Sequence, residues 1–124
     1  MAIRSFKDLD VYNNLYKASL AVLKEIIPKL PEEEKFNLKD QLRRACMAPC
    51  AIIAEGYSRK NQKKAWKKYL DDAIGECNEM IVHLSYVRDF YNKIIDPNLC
   101  TKLIETYDVS GKQLFTLGKN WQIY

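Results

Sequence analysis

Six basic side chains within ten residues are the densest chemistry in this chain. Arg59, Lys60, Lys63, Lys64, Lys67 and Lys68 lie in RKNQKKAWKK with no acidic residue among them. The chain as a whole holds 20 Lys and Arg against 16 Asp and Glu, a formal charge of +4. With the decapeptide set aside, the acids outnumber the bases. Positive charge gathered in this way is the footprint of a polyanion site, with RNA or DNA phosphate the first expectation. Tyr57 and Arg59 at the adjoining turn add stacking surfaces. Lys60, Lys64, Lys67 and Lys68 recur at helical spacing while Trp66 points the other way. Cations at the start of a helix oppose its macrodipole at about 0.3–1 kcal/mol each, so helix stability does not account for the run. Two other readings stay open. A charge run can be a solvated face, or it can meet acidic protein surface, such as Asp71, Asp72 and Glu76 of a neighbouring subunit or of a partner protein.

A second set precedes the lysines, in FNLKDQLRRACMAPCAIIAEG from Phe36 to Gly56. Arg43 extends the basic set. Arg44 and Glu55 are eleven residues apart, about three helical turns, so they share a face but cannot touch within one helix. Each needs a partner from another helix or another subunit, which marks them as packing or assembly residues. Pro49, inside the same helix, removes a hydrogen bond and crowds the Ala45 carbonyl at about 3 kcal/mol. It sits among Ala45, Cys46, Ala48, Cys50, Ala51 and Ala54, small residues that let another backbone come close. Gly56 closes the segment.

Catalytic and metal chemistry find little to work with, and the expectation is a protein without catalytic residues, metal or cofactor. The single histidine, His83, falls mid-helix with no serine or cysteine pairing suggested. No glycine-rich phosphate loop occurs. Asp71, Asp72, Glu76 and Glu79 form an acidic face, but the Glu-x-x-His pairs of a di-iron bundle are missing. Cys46, Cys50, Cys77 and Cys100 make no CxxC pair, and free cysteine commonly serves as a small buried hydrophobe. No apolar run reaches bilayer length. The start, MAIRSFKDLDVY, has no apolar core of a secretion signal, so the expected location is the cytoplasm, where thiols stay reduced.

Four helices must position these groups. With 48% apolar and 29% charged residues and only 4 Gly and 4 Pro, the chain suits one compact helical domain over 1–124. Val11, Tyr12, Leu15, Tyr16, Val22, Leu23, Ile26 and Ile27 recur at three- and four-residue steps, predicting a helix from about Asp8 to Pro28. Phe36, Leu38, Leu42, Ala45, Pro49, Ile52, Ile53 and Gly56 form the inward side of the second. A third runs from near Asn61 to about Ile95 on a stripe from Trp66 through Leu70, Cys77 and Leu84 to Tyr91 and Ile94. Asp96-Pro97 then supplies an N-cap and a first-position proline for the fourth, which carries Leu99, Leu103, Tyr107, Ser110, Leu114, Leu117 and Trp121. Short connections between long helices predict an all-α, antiparallel up-down-up-down four-helix bundle.

Phe36-x-Leu38-x-x-Gln41-Leu42-Arg43-Arg44-Ala45, followed by Ile53-Ala54-Glu55-Gly56, resembles the four-helix-bundle family of 23S rRNA intervening-sequence proteins. Phe6-x-x-Leu9-x-Val11-Tyr12, Pro31 with Glu34, and Ala73-x-Gly75 with Glu79 extend the likeness over nearly the whole chain. The family typically has Ser at Ala48, Asn at Ile52 and Ser at Glu76, and its proline falls at Cys50 rather than Pro49. The resemblance implies a homo-oligomer, notably a pentameric ring, associated with insertions in ribosomal RNA and without enzymatic activity. Gly111-Lys112-x-Leu114 and Trp121 also look like the accessory protein of diversity-generating retroelements. That likeness implies a basic pentamer that binds a reverse transcriptase and nucleic acid.

Overall fold

The computed structural model describes residues 2–121; the first residue and the last three of the domain expected over 1–124 lie outside them. Four α-helices account for most of the chain: α1 (Asp10–Ala21), α2 (Leu38–Tyr57), α3 (Lys63–Phe90) and α4 (Pro97–Asn120). Among the described residues there is no strand. Each helix packs on its two neighbours, α1 on α2 and α4, α3 on α2 and α4, so the four close a ring around one core. Neighbours run in opposite directions. Gly56, at the end of α2, faces Trp66 and Tyr69 at the start of α3. Trp121, past the end of α4, also meets Trp66. This is the four-helix bundle expected from the apolar spacing.

The core is the inward stripe of each helix: Leu15 and Val22, Leu42 and Ile53, Trp66, Leu70, Met80 and Leu84, then Tyr107 and Leu114, all essentially without exposure. Helix starts follow local chemistry. Ser5 and Asp8 form a reciprocal capping box around the short 3-10 turn Phe6–Asp8. The Asp96 carboxylate accepts from the Asn98 N–H at 2.9 Å, with Pro97 in the first turn. The first predicted helix divides into regular α1, a π-helical stretch over Val22–Ile26 and a 3-10 turn over Ile27–Lys29. Pro28 lacks the N–H that regular helix would require.

Several expected positions are corrected. Phe36 is not inward but 88% exposed, because it lies in the turn before α2 begins at Leu38. Tyr16 and Ile94 are likewise exposed. The third helix stops at Phe90 rather than near Ile95, and residues 91–95 turn instead of continuing the helical stripe; Ile95 is buried from this connecting segment. At the other end Lys60 belongs to the α2–α3 turn, not to the helix that carries Lys63 to Lys68. Pro49 is buried, and α2 continues as α-helix through it.

Candidate nucleic-acid interface

The basic decapeptide caps one end of the bundle. After Tyr57 the chain leaves α2 through a hydrogen-bonded turn, in which the N–H groups of Arg59, Lys60 and Gln62 donate to the carbonyls of Gly56, Tyr57 and Arg59 at 2.8, 3.1 and 2.8 Å. Three aromatic rings brace this turn from beneath. Tyr57, Trp66 and Trp121 pack edge to face in a closed trio, with centroids 5.5–6.2 Å apart. The Trp121 indole N–H donates to the Lys60 carbonyl at 3.0 Å, tying the end of α4 to the basic turn. The Lys60 ammonium lies over the Tyr57 ring, 4.6 Å from its centroid, a cation–π contact.

Gly56 sets how closely α3 approaches. A Cβ there would overlap the Cβ of Tyr69 and lie 2.7 Å from its Cγ and 3.1 Å from Trp66 Cε3. The Ala-Glu-Gly ending of α2 is thus a helix-contact point. Glu55, one residue earlier, is exposed and forms no ion pair among the described residues. Arg44 meets Glu79 of α3 at 3.8 Å, and Glu79 also meets His83 Nε2 at 3.3 Å. Arg44 therefore finds its partner on another helix of the same chain. Beside them, burial and the adjacent Glu79 push the Glu76 carboxyl above the ordinary range, with Arg44 opposing the shift.

The six cations of the run are not equivalent. Lys67 and Lys68 pair one turn ahead on their own helix, with Asp71 at 2.9 Å and Asp72 at 3.3 Å. These acids thus have a partner on their own helix. Arg59, Lys60, Lys63 and Lys64 form no ion pair among the described residues. Lys63 and Lys64 are exposed in the first turn of α3, where no side chain caps the helix. Arg43 is exposed on α2 but not near this end. Gly56 is level with Tyr69 and Arg44 with Glu79, so Arg43 stands about 20 Å down the bundle from the lysines. Sequence reasoning missed Trp121 as a support of the turn. Its position at the far end of the chain gave no sign of contact with Lys60.

The thiols are free and mostly buried. Burial pushes Cys46 and Cys50 up to about 11 and Cys77 up to about 12. Tyr107, among them, is raised further by burial and by the neighbouring thiols. Such groups are inert at neutral pH. Among the described residues no group of three or more His, Cys, Asp or Glu side chains is arranged to hold a metal ion. No helix among them is long and apolar enough to cross a membrane.

The fold and this end together define a small four-helix bundle with a cationic cap held on an aromatic support. The family model described as 23S rRNA-intervening sequence protein matches residues 7–116, all but the two ends of the chain, and the chain belongs to that family. No curated protein and no solved structure matches it.

Proposed function

We propose that this chain is a non-enzymatic, self-associating cytoplasmic protein that binds RNA or DNA through the basic end of its bundle. One observation carries the reading: Arg59, Lys60, Lys63 and Lys64 converge on a braced turn and an uncapped helix start without an acidic partner. The placement works against the α3 macrodipole, and bound phosphate relieves both that opposition and the repulsion among the cations. Lys67 and Lys68, paired in the helix, and Arg43, well down the bundle, contribute less than the other four. Tyr57 is turned under Lys60 and largely buried, so it supports the turn instead of stacking on a base.

Neutralising about four phosphates gives a slope of log affinity against log salt near −3.6 on duplex DNA and near −2.8 on a single strand. Fluorescence anisotropy with labelled RNA and DNA from low to moderate salt measures it. Changing Arg59, Lys60, Lys63 and Lys64 to serine flattens the slope, whereas Arg43→Ser leaves it within about one unit. Equal binding by the quadruple variant would overturn the assignment.

A second reading draws on exposed apolar side chains away from this end, Tyr86 and Phe90 among them. In it the protein is an interaction scaffold, including an accessory role to a reverse transcriptase, and the cations meet an acidic protein surface. Salt-sensitive association with protein and no shift with either nucleic acid would favour it.

A further inference from the structure

The three rings at the basic turn are committed to packing. Tyr57 and Trp66 are buried, and Trp121 lies edge to face against both. A free ring stands nearby on the last turns of α4. Phe115 is 59% exposed and borders a hollow of about 280 Å³ between α3 and α4. Leu70 and Leu114 give this hollow a hydrocarbon wall. A Cβ on Gly118 would press to 3.2 Å from Leu70 Cδ1, so the missing side chain keeps the hollow open. Lys67, Asp71 and Lys119 stand around it. Lys63 precedes Lys67 by four residues, on the same face of α3 and about 6 Å nearer the basic turn.

We infer that this hollow takes one unpaired nucleobase, stacked on Phe115, while the phosphates on either side of it meet Lys63 and Lys119. The inference rests on the nucleic-acid binding proposed above and narrows its substrate to single strands and unpaired loops. Size supports it. The hollow has room for about nine water molecules at ~30 Å³ each, enough for one planar base. Chemistry supports it too. Every base has an apolar π-face that stacks on an aromatic ring whatever its sequence, and the wall opposite offers hydrocarbon alone.

Charge decides between occupants. Asp71 answers Lys67 at 2.9 Å, so that pair adds little net charge to the rim. Lys63 and Lys119 are exposed and form no ion pair among the described residues. An apolar slot between two free cations is the complement of a nucleotide, a flat base between two phosphates. An apolar protein segment seated there would cover the hydrocarbon and leave both cations unanswered. A duplex does not reach the slot, because its bases are stacked inside and show only their edges in the grooves.

The test is fluorescence anisotropy of the full chain with labelled oligo(dT), an abasic strand of equal length and a duplex. One stacked base is worth a factor of about 5–150, so the wild type is expected to bind oligo(dT) tighter than the abasic strand by that much. Phe115→Leu keeps the apolar bulk and loses the π-face. It is expected to bind oligo(dT) no better than the abasic strand, with an unchanged salt slope, because stacking releases no counterions. Phe115→Trp is expected to keep the preference. Gly118→Leu fills the hollow and is expected to abolish the preference by a second route, which serves should circular dichroism show Phe115→Leu misfolded. Wild-type affinity for oligo(dT) in either folded variant overturns the inference. Equal loss on the abasic strand also overturns it, since Phe115 is then a structural residue. Release of subunits by Phe115→Leu in sedimentation velocity would make another copy the occupant and is equally fatal. A wild type that binds all three ligands alike overturns the inference and leaves the nucleic-acid reading standing; one that binds none overturns that reading as well.

Discussion

Replacing Gly56 with alanine tests the helix contact that holds the basic end together. In an open helix the substitution stabilises by up to about 1 kcal/mol, since alanine loses less backbone freedom on folding. Here the new Cβ would overlap the Cβ of Tyr69 and come within 2.7 Å of its Cγ. The Tyr69 Cβ is fixed to the α3 backbone, so no rotamer change removes that overlap. Relief requires α2 and α3 to separate, at the overpacking cost of about 1–3 kcal/mol. Subtracting the propensity gain from the middle of that range leaves a net loss of about 1 kcal/mol, and of about 2 kcal/mol at its upper end. Gly75 and Gly111 are internal controls, because a Cβ at either meets nothing within 4 Å. G75A and G111A therefore stabilise, while G56A destabilises. Urea unfolding with an unchanged m-value reads the difference as a shift of midpoint. If G56A shifts the midpoint upward as G75A does, the close approach at Gly56 carries no energetic weight and the argument fails.

Three further outcomes follow from the same geometry. Glu76 has its folded pKa raised above the unfolded value, so the native state holds the proton more tightly. Its stabilising effect is present at low pH and fades as pH rises through the carboxylate range; E76Q is expected to flatten that decline and raise stability at neutral pH, checked by thermal melts from pH 4 to 8. Cys77, buried and pushed up to about 12, is expected to resist iodoacetamide at neutral pH in the native protein. Mass spectrometry should find it labelled only after denaturant is added, and rapid native labelling would contradict the packing. Trp121→Phe keeps an aromatic ring, though a smaller one, and removes the indole N–H that donates to the Lys60 carbonyl. A loss of about 0.5–1.5 kcal/mol is expected, with faster amide exchange in the Arg59–Gln62 turn; unchanged exchange there would refute the tie.

The bundle was legible because inward residues recur at the 3.6-residue period over long stretches. Trp66, Leu70, Ala73, Cys77, Met80 and Leu84 are all buried on α3, as their spacing predicts. Phe36 broke the pattern because its hydrophobicity matched the stripe, while the chain around it turns before α2 begins. The Arg44–Glu79 contact was not readable because it depends on how far α2 slides along α3, which no spacing within either helix fixes. The pairings of Lys67 and Lys68 with Asp71 and Asp72 are local, four residues apart, and lay within reach of the sequence. That local pairing reduces six nominal cations to four without a partner.

The same end of the bundle holds the densest positive charge and the close helix approach at Gly56. Four unpaired cations repel one another, and a loose turn would let them spread apart. Gly56 instead draws α3 against α2, and the Tyr57, Trp66 and Trp121 rings fill the space beneath the turn. The Trp121 N–H and the Tyr57 face then hold Lys60 by its carbonyl and its ammonium. Rigidity of this kind lets a ligand bind without first ordering the site, which raises affinity by removing an entropic cost. In the reading proposed above, the Phe36–Gly56 segment, with its arginines, proline and glycine, acts on the phosphate ligand indirectly. It fixes the distance between two helices, and that distance fixes where the lysines stand.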